Sequence, residues 1–216
     1  EDLSLFDTRC EISHGGLPKD SVCQGMEWFR PIEGIHTAHK LRRSMTPQNP
    51  RFSYAVSDYP LEDYSTGLVA GQTVRFLEQH RDNPFALWVS FPDPHEPWVA
   101  PEQYAAMFPA HKIDLPPWPE DEFGSDAPER NRVLYQMLNM EKDDLDDVYG
   151  LMAVYYGMIR FIDDGLGQII DALETLGLRE NTIVVFCSDH GDFMGEHRMQ
   201  CKGGVFYDCL TRVPLI

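Results

Sequence analysis

The residues best suited to chemistry lie together in Cys187-Ser188-Asp189-His190-Gly191-Asp192, directly after the apolar run Thr182-Ile183-Val184-Val185-Phe186. Asp189 offers a hard carboxylate oxygen and His190 a borderline imidazole nitrogen. That pair suits Mn²⁺ or Zn²⁺, or Ca²⁺ if further carboxylates join. Gly191 is expected to let the backbone turn sharply. Polar residues at the carboxyl end of a buried strand project into a crevice, where open α/β sheets bind their ligands. As a dipeptide alone, Asp189-His190 reads more simply as an Asx-type turn with a solvated histidine.

Two further groups hold candidate substrate contacts, although each alone reads more simply as a solvated or surface side chain. Downstream come Gly195-Glu196-His197, Lys202-Gly203-Gly204, Tyr207 and Arg212-Val213-Pro214. Lys202 by itself would be a solvated lysine; beside a metal it could neutralise charge on a tetrahedral anion. Glu196 and His197 read as loop-ordering groups rather than ligands. Upstream, Phe91-Pro92-Asp93-Pro94-His95-Glu96-Pro97 places His95 in a proline-stiffened loop. Its imidazole could donate to an ester oxygen or act as a general acid toward a leaving oxygen.

The elements that must hold these groups follow from periodicity. A helix is expected from about residue 65 to 80, capped by Ser65 or Thr66, with Leu68, Val69, Phe76 and Leu77 inward. Asp82-Asn83-Pro84 stops it, and Phe85 to Phe91 follows as a continuous apolar run, the pattern of a strand covered on both faces. Residues 92 to 128 read as a long proline-rich loop. A long helix starts near Asp143 or Asp146, with acidic residues in its first turn. Its stripe is Val148, Leu151, Met152, Tyr155, Ile159, Ile162, Leu166, Ile169, Ile170, Leu173 and Leu176, ended by Gly177. Thr182 to Cys187 is a second buried strand, and Val213 to Ile216 begins a third. This order predicts an α/β fold with a mostly parallel sheet flanked by helices. Residues 1–63 form an irregular segment and residues 64–216 the α/β core portion.

Composition bounds the rest. The 216 residues are 43% hydrophobic and 25% charged, which suits a soluble globular chain. A formal net charge of −17 argues against nucleic acid and anionic membrane as partners. A small anionic substrate stays compatible with it, because a bound cation and one lysine reverse the potential locally. No apolar run is long enough to span a membrane. Glu1-Asp2-Leu3-Ser4 has neither an initiator Met nor a secretory pattern, and the chain stops inside an apolar run. The expectation is an internal fragment, incomplete at both ends, from a cytoplasmic, periplasmic or secreted protein; homo-oligomerisation stays open. Five cysteines without a C-x-x-C pair leave the redox compartment undetermined, and Cys10, His14 and Cys23 match no standard zinc spacing. Glu141, Asp143, Asp144, Asp146 and Asp147 lack EF-hand spacing and read as a solvated helix start.

The stretch from Ser188-Asp189-His190-Gly191 through Gly195-Glu196-His197, Lys202, Tyr207 and Arg212-Val213-Pro214 resembles the C-terminal signature of the sulfatase family, in the alkaline phosphatase superfamily. The segment around His95 resembles a second part of that family's site. Histidine after the aspartate, and a gap of 12 residues to Lys202, look most like phosphonate monoester hydrolases and choline-sulfatase-like members. The resemblance implies an alkaline-phosphatase-like fold and a hydrolase of sulfate, phosphonate or phosphate esters. It implies Asp189 and His190 as ligands of a divalent metal (Ca, Mn or Zn), and His95 and Lys202 as catalytic and substrate-binding groups. It also implies a formylglycine nucleophile, made from a Cys or Ser in C/S-x-P-x-R. No Cys or Ser here has Pro two on and Arg four on, so that nucleophile is expected outside this chain, and the fragment alone is expected to be inactive. The competing reading is a non-catalytic binding module or pseudoenzyme on the same scaffold.

Overall fold

A computed structural model describes residues 6–12, 23–29, 40, 52, 54–141 and 145–216. Its elements begin with β1 (Arg9–Cys10), β2 (Cys23–Gln24), β3 (Tyr54–Ser57), α1 (Ser65–His80), β4 (Trp98–Pro101) and α2 (Glu102–Ala105). They continue with α3 (Glu129–Leu138), α4 (Leu145–Thr175), β5 (Phe193–Met194), β6 (Gln200–Cys201) and α5 (Asp208–Thr211). The chain divides into two compact units. The first holds residues 1–108 and 154–182, the second 109–153 and 183–216.

In the first unit, α1 has the expected limits, and Leu68, Val69 and Leu77 are buried. No side chain caps it. Thr66, one of the two expected caps, instead turns its hydroxyl inward. The last two turns of α4 bring Ile169 and Leu173 against Leu77, and Phe76, Phe85, Val89 and Phe91 close that cluster. Fully burying a leucine or phenylalanine of this kind contributes about 1.5–3 kcal/mol. A second cluster forms where Tyr64, Val99, Tyr104 and Phe161 meet, with Tyr104 and Phe161 stacked at 4.7 Å. Strands β3 and β4 pair in parallel from Tyr54↔Trp98 to Ser57↔Pro101, so the fold combines helices with a parallel sheet.

Helix α4 confirms the period of three and four, with departures. Val154, Met158 and Phe161 are also buried, while Ile159 is exposed. Gly177 ends it as expected: at φ +72° it lets Leu178 N–H reach back to Leu173 O at 2.8 Å, a Schellman closure. Asp143 and Asp144, in the acidic helix start, lie outside the described residues, as does His14.

Two expectations are corrected. Residues 85–91 and 182–187 form no strand ladder of their own. A buried strand needs a hydrogen-bonding neighbour on each side and cover on both faces. The first run is covered only in part: Phe85, Val89 and Phe91 pack against the cluster of Leu77, Ile169 and Leu173, while Leu87 and Trp88 stay exposed. In the second, Ile183, Val184 and Val185 are exposed; Phe186 exchanges both backbone hydrogen bonds with Ile216 in an antiparallel pairing. Residues 92–128 contain β4 and α2 rather than a continuous loop, and α3 lies just beyond them. Finally, Cys10 and Cys23 face each other across β1–β2 and form a disulfide, which removes both from any zinc set.

Candidate active site

His95 belongs to the first unit, in the loop between residues 85–91 and β4. Its N–H reaches Pro92 O at 3.2 Å, and its ring Nδ1 lies 2.7 Å from Glu96 O. A carbonyl only accepts, so Nδ1 carries the proton and the ring orientation is set locally. The root of the loop is anchored over a longer range. Thr66 Oγ1 donates to Asp93 Oδ2 at 2.6 Å, across 27 residues, with both groups buried. The hydroxyl that would cap α1 is thereby spent on holding the carboxylate beside His95.

Asp189 and His190 lie in the second unit, after residues 182–187. Asp189 Oδ1 accepts the His190 N–H at 2.9 Å, and Ser188 Oγ donates to His190 O at 2.9 Å. The His190 ring Nδ1 donates to Gly191 O at 2.9 Å, which leaves Nε2 as the lone-pair nitrogen of the neutral ring. That Nε2 stands 3.6 Å from Asp189 Oδ2, and the Asp189 side chain is 85% exposed. Gly191 is required for a reason other than the one expected. Its φ is not positive; a Cβ there would lie 1.9 Å from Cys209 O, and its N–H donates to Leu210 O at 2.9 Å. Close backbone approach, not turning freedom, selects glycine.

Lys202 follows the β5–β6 hairpin, whose register is Phe193↔Cys201 and Met194↔Gln200. Just outside that ladder, Lys202 Nζ lies 3.6 Å from Asp192 Oδ1. Asp192 therefore joins the metal-type turn to the lysine. The reading of the sequence had not assigned it a role, although a hairpin around Gly195 with this register is the signal that finds it. Glu196 does order the loop, accepting the Met194 N–H at 2.8 Å. His197 Nδ1 meets Glu122 Oε1 at 2.5 Å across 75 residues, a partnership that spacing could not reveal.

The donor pair suits a divalent cation. One carboxylate oxygen and one imidazole lone pair converge at an exposed turn, with the imidazole tautomer fixed by a backbone acceptor, the usual arrangement behind a histidine ligand. Among the described residues no group of three or more His, Cys, Asp or Glu is arranged to hold a metal. The structure thus brings Asp189 and His190 together and links them to Lys202 through Asp192. His95 belongs to the other unit.

The sulfatase family model matches residues 13–216, nearly the whole chain. This chain belongs to the sulfatase family. The chain is 35% identical to the uncharacterized sulfatase YidJ of Escherichia coli (strain K12), over 68% of this chain and 29% of that protein. It is 27% identical to the choline-sulfatase of Rhizobium meliloti (strain 1021), over 71% of this chain and 31% of that protein. The phosphonate monoester hydrolase of Agrobacterium radiobacter superposes with a TM-score of 0.64 at 26% identity, covering 85% of this chain and 40% of that one. Both kinds of relative named by the resemblance are therefore present, and the alkaline-phosphatase-like fold holds. The chain spans less than a third of the length of these two curated relatives.

Proposed function

We propose that the protein carrying this chain is a metal-dependent hydrolase of sulfate esters, or of the closely similar phosphonate and phosphate esters. The observation that carries the reading is the family match across residues 13–216, together with the convergence of Asp189 Oδ2 and His190 Nε2 at 3.6 Å. In this reading Asp189 and His190 hold a divalent cation, with further ligands and a formylglycine nucleophile supplied from outside these residues. Such an ion, when bound, neutralises charge on the ester oxygens and makes sulfur or phosphorus more electrophilic.

The chain's own residues do the rest. Lys202 presents an ammonium donor to a non-bridging oxygen; Asp192 keeps that ammonium at the end of the β5–β6 hairpin until the anionic substrate arrives. His95 keeps its Nδ1–H on Glu96 O, so it would donate from Nε2 to an ester oxygen or to the leaving group as the doubly protonated imidazolium. A tetrahedral anion suits this set because charge develops on the oxygens and is met by pre-oriented donors. The net charge of −17 then works against polyanions, and selects small esters that the cation and Lys202 can hold locally.

The test is turnover of 4-nitrophenyl sulfate and of a 4-nitrophenyl phosphonate monoester by the full-length protein, with mass spectrometry for formylglycine upstream of Glu1. Metal-dependent hydrolysis of either ester, with the sulfate preferred, is expected. The 216 residues alone are expected to hydrolyse neither. A full-length protein without a C/S-x-P-x-R segment and without turnover would overturn the enzyme reading in favour of a binding module.

A further inference from the structure

The turn between β5 and β6 is strained where the sequence gives no glycine to absorb it. After Gly195 at φ +100°, His197 and Arg198 both lie at φ +57°, in the left-handed region. For residues with a Cβ this conformation is sterically disfavoured. Such conformations persist only where surrounding contacts over-determine them.

Contacts from outside the hairpin do so here. His197 Nδ1–H donates to Glu122 Oε1 at 2.5 Å. The Arg198 guanidinium sits 5.8 Å and 5.5 Å from the ring centres of Trp118 and Tyr135, and reaches Glu141 at 3.2 Å. The Trp118 indole N–H donates to Gly195 O at 2.8 Å. Glu122 is the costly member. Its side chain is 21% exposed, and its Oε2 is buried with no hydrogen-bond partner. A buried carboxylate so incompletely satisfied is expensive, and a well-packed apolar residue would serve stability better.

What the turn controls is register. The strand ladder around it is only two pairs long, so the turn, not the strands, sets which residue opposes which. If His197 and Arg198 relaxed from the left-handed region and the ladder slipped by one residue, both side chains of β6 would change face, and Lys202, which follows Cys201 at φ +61°, would be displaced with the strand. Lys202 would then leave Asp192. We propose that Glu122, acting through His197, is a positioning residue that holds the β5–β6 turn in the register that aims Lys202. The proposal rests on the reading of Lys202 as a substrate contact.

The test uses the full-length protein, 4-nitrophenyl sulfate as probe, and the variants Glu122→Ala, Glu122→Gln, Lys202→Ala and the Glu122→Ala/Lys202→Ala double. Glu122→Ala is expected to lower kcat/KM by about 10- to 100-fold, the scale of a misplaced catalytic group. Glu122→Gln keeps an acceptor for Nδ1–H and is expected to recover most of the loss. In the Lys202→Ala background the Glu122 change should matter by about twofold or less, because its effect passes through the lysine. Losses that multiply independently, or a fully active Glu122→Ala, would overturn the proposal. A fully active Lys202→Ala would instead remove the reading of Lys202 on which it rests. Should Glu122→Ala not fold, His197→Asn carries the same test: asparagine tolerates the left-handed conformation and is too short to reach Glu122.

Discussion

The His95 loop and the Ser188–His190 turn are built alike at short range and differently at long range. Each follows an apolar run, and each turns its histidine Nδ1 onto a neighbouring backbone carbonyl, Glu96 O in one and Gly191 O in the other. Beyond that they part. The His95 loop is tied to α1 by a buried side-chain bond from Thr66 to Asp93. Among the described residues, the side-chain hydrogen bonds of Ser188, Asp189 and His190 close within two residues, whereas the Gly191 backbone reaches to Leu210. A group pinned by the protein is pre-oriented without ligand. A pair of exposed side chains held only by their neighbours needs something bound between them to become rigid, which is what the proposed cation would supply.

The largest effect is therefore expected at Asp189. Asp189→Asn in the full-length protein should cost metal content and activity together, activity by about 100-fold or more, as for loss of a metal-orienting group. Stability of the metal-free protein should move by no more than about 0.5 kcal/mol, because the side chain is 85% exposed and locally bonded. Elemental analysis beside a denaturation curve separates the two. Normal metal content in that variant would remove Asp189 from the ligand set and erase the proposed contrast.

Thr66→Val probes the opposite side. It deletes the hydroxyl donor to the buried Asp93 while keeping shape, and hydrogen bonds to charged groups are worth about 1.5–3 kcal/mol. Stability should fall by that order in urea unfolding, with Thr66→Ser restoring most of it, and kcat/KM should fall more modestly as His95 loses its anchor. A Thr66→Val protein with unchanged stability would mean that the His95 loop, too, is held only locally.

The same distinction explains what was legible in the sequence. The helices over residues 65–80 and 145–175 were legible because their apolar residues recur every three or four positions, and periodicity is a local property. The Asp189-His190 pair was legible for the same reason, since its contacts lie within its own motif. The exposure of Leu87, Trp88 and Ile183 was not, because an apolar run reports what a segment can bury, not whether a neighbour is there to bury it. Neither could the partnerships of Thr66 with Asp93 or of His197 with Glu122 be read, since spacing holds no trace of contacts across 27 or 75 residues. Gly191 lies between these cases: its identity was noted, but its reason, the Cys209 carbonyl, comes from the fold.

The smallest expected effect tests this long-range tie of the Ser188–His190 turn. Cys209 and Leu210 supply the backbone against which Gly191 packs, and the Cys209 thiol reports on that packing. Burial, with the carboxylates of Glu196 and Asp208 adding to it, pushes this thiol from 9.0 up to about 11. The folded state thus holds the proton more tightly than the unfolded chain. The stabilisation is complete below pH 9 and is lost progressively as pH rises toward 11. The melting temperature should fall across that interval, and Cys209→Ala should flatten part of the fall. At pH 8, iodoacetamide should modify the exposed Cys187 well before Cys209. If the turn is instead held as loosely as its side chains suggest, the two thiols would react together and the melting curve would show no contribution from Cys209. The contrast with the His95 loop would then be deeper than the Gly191 contact implies.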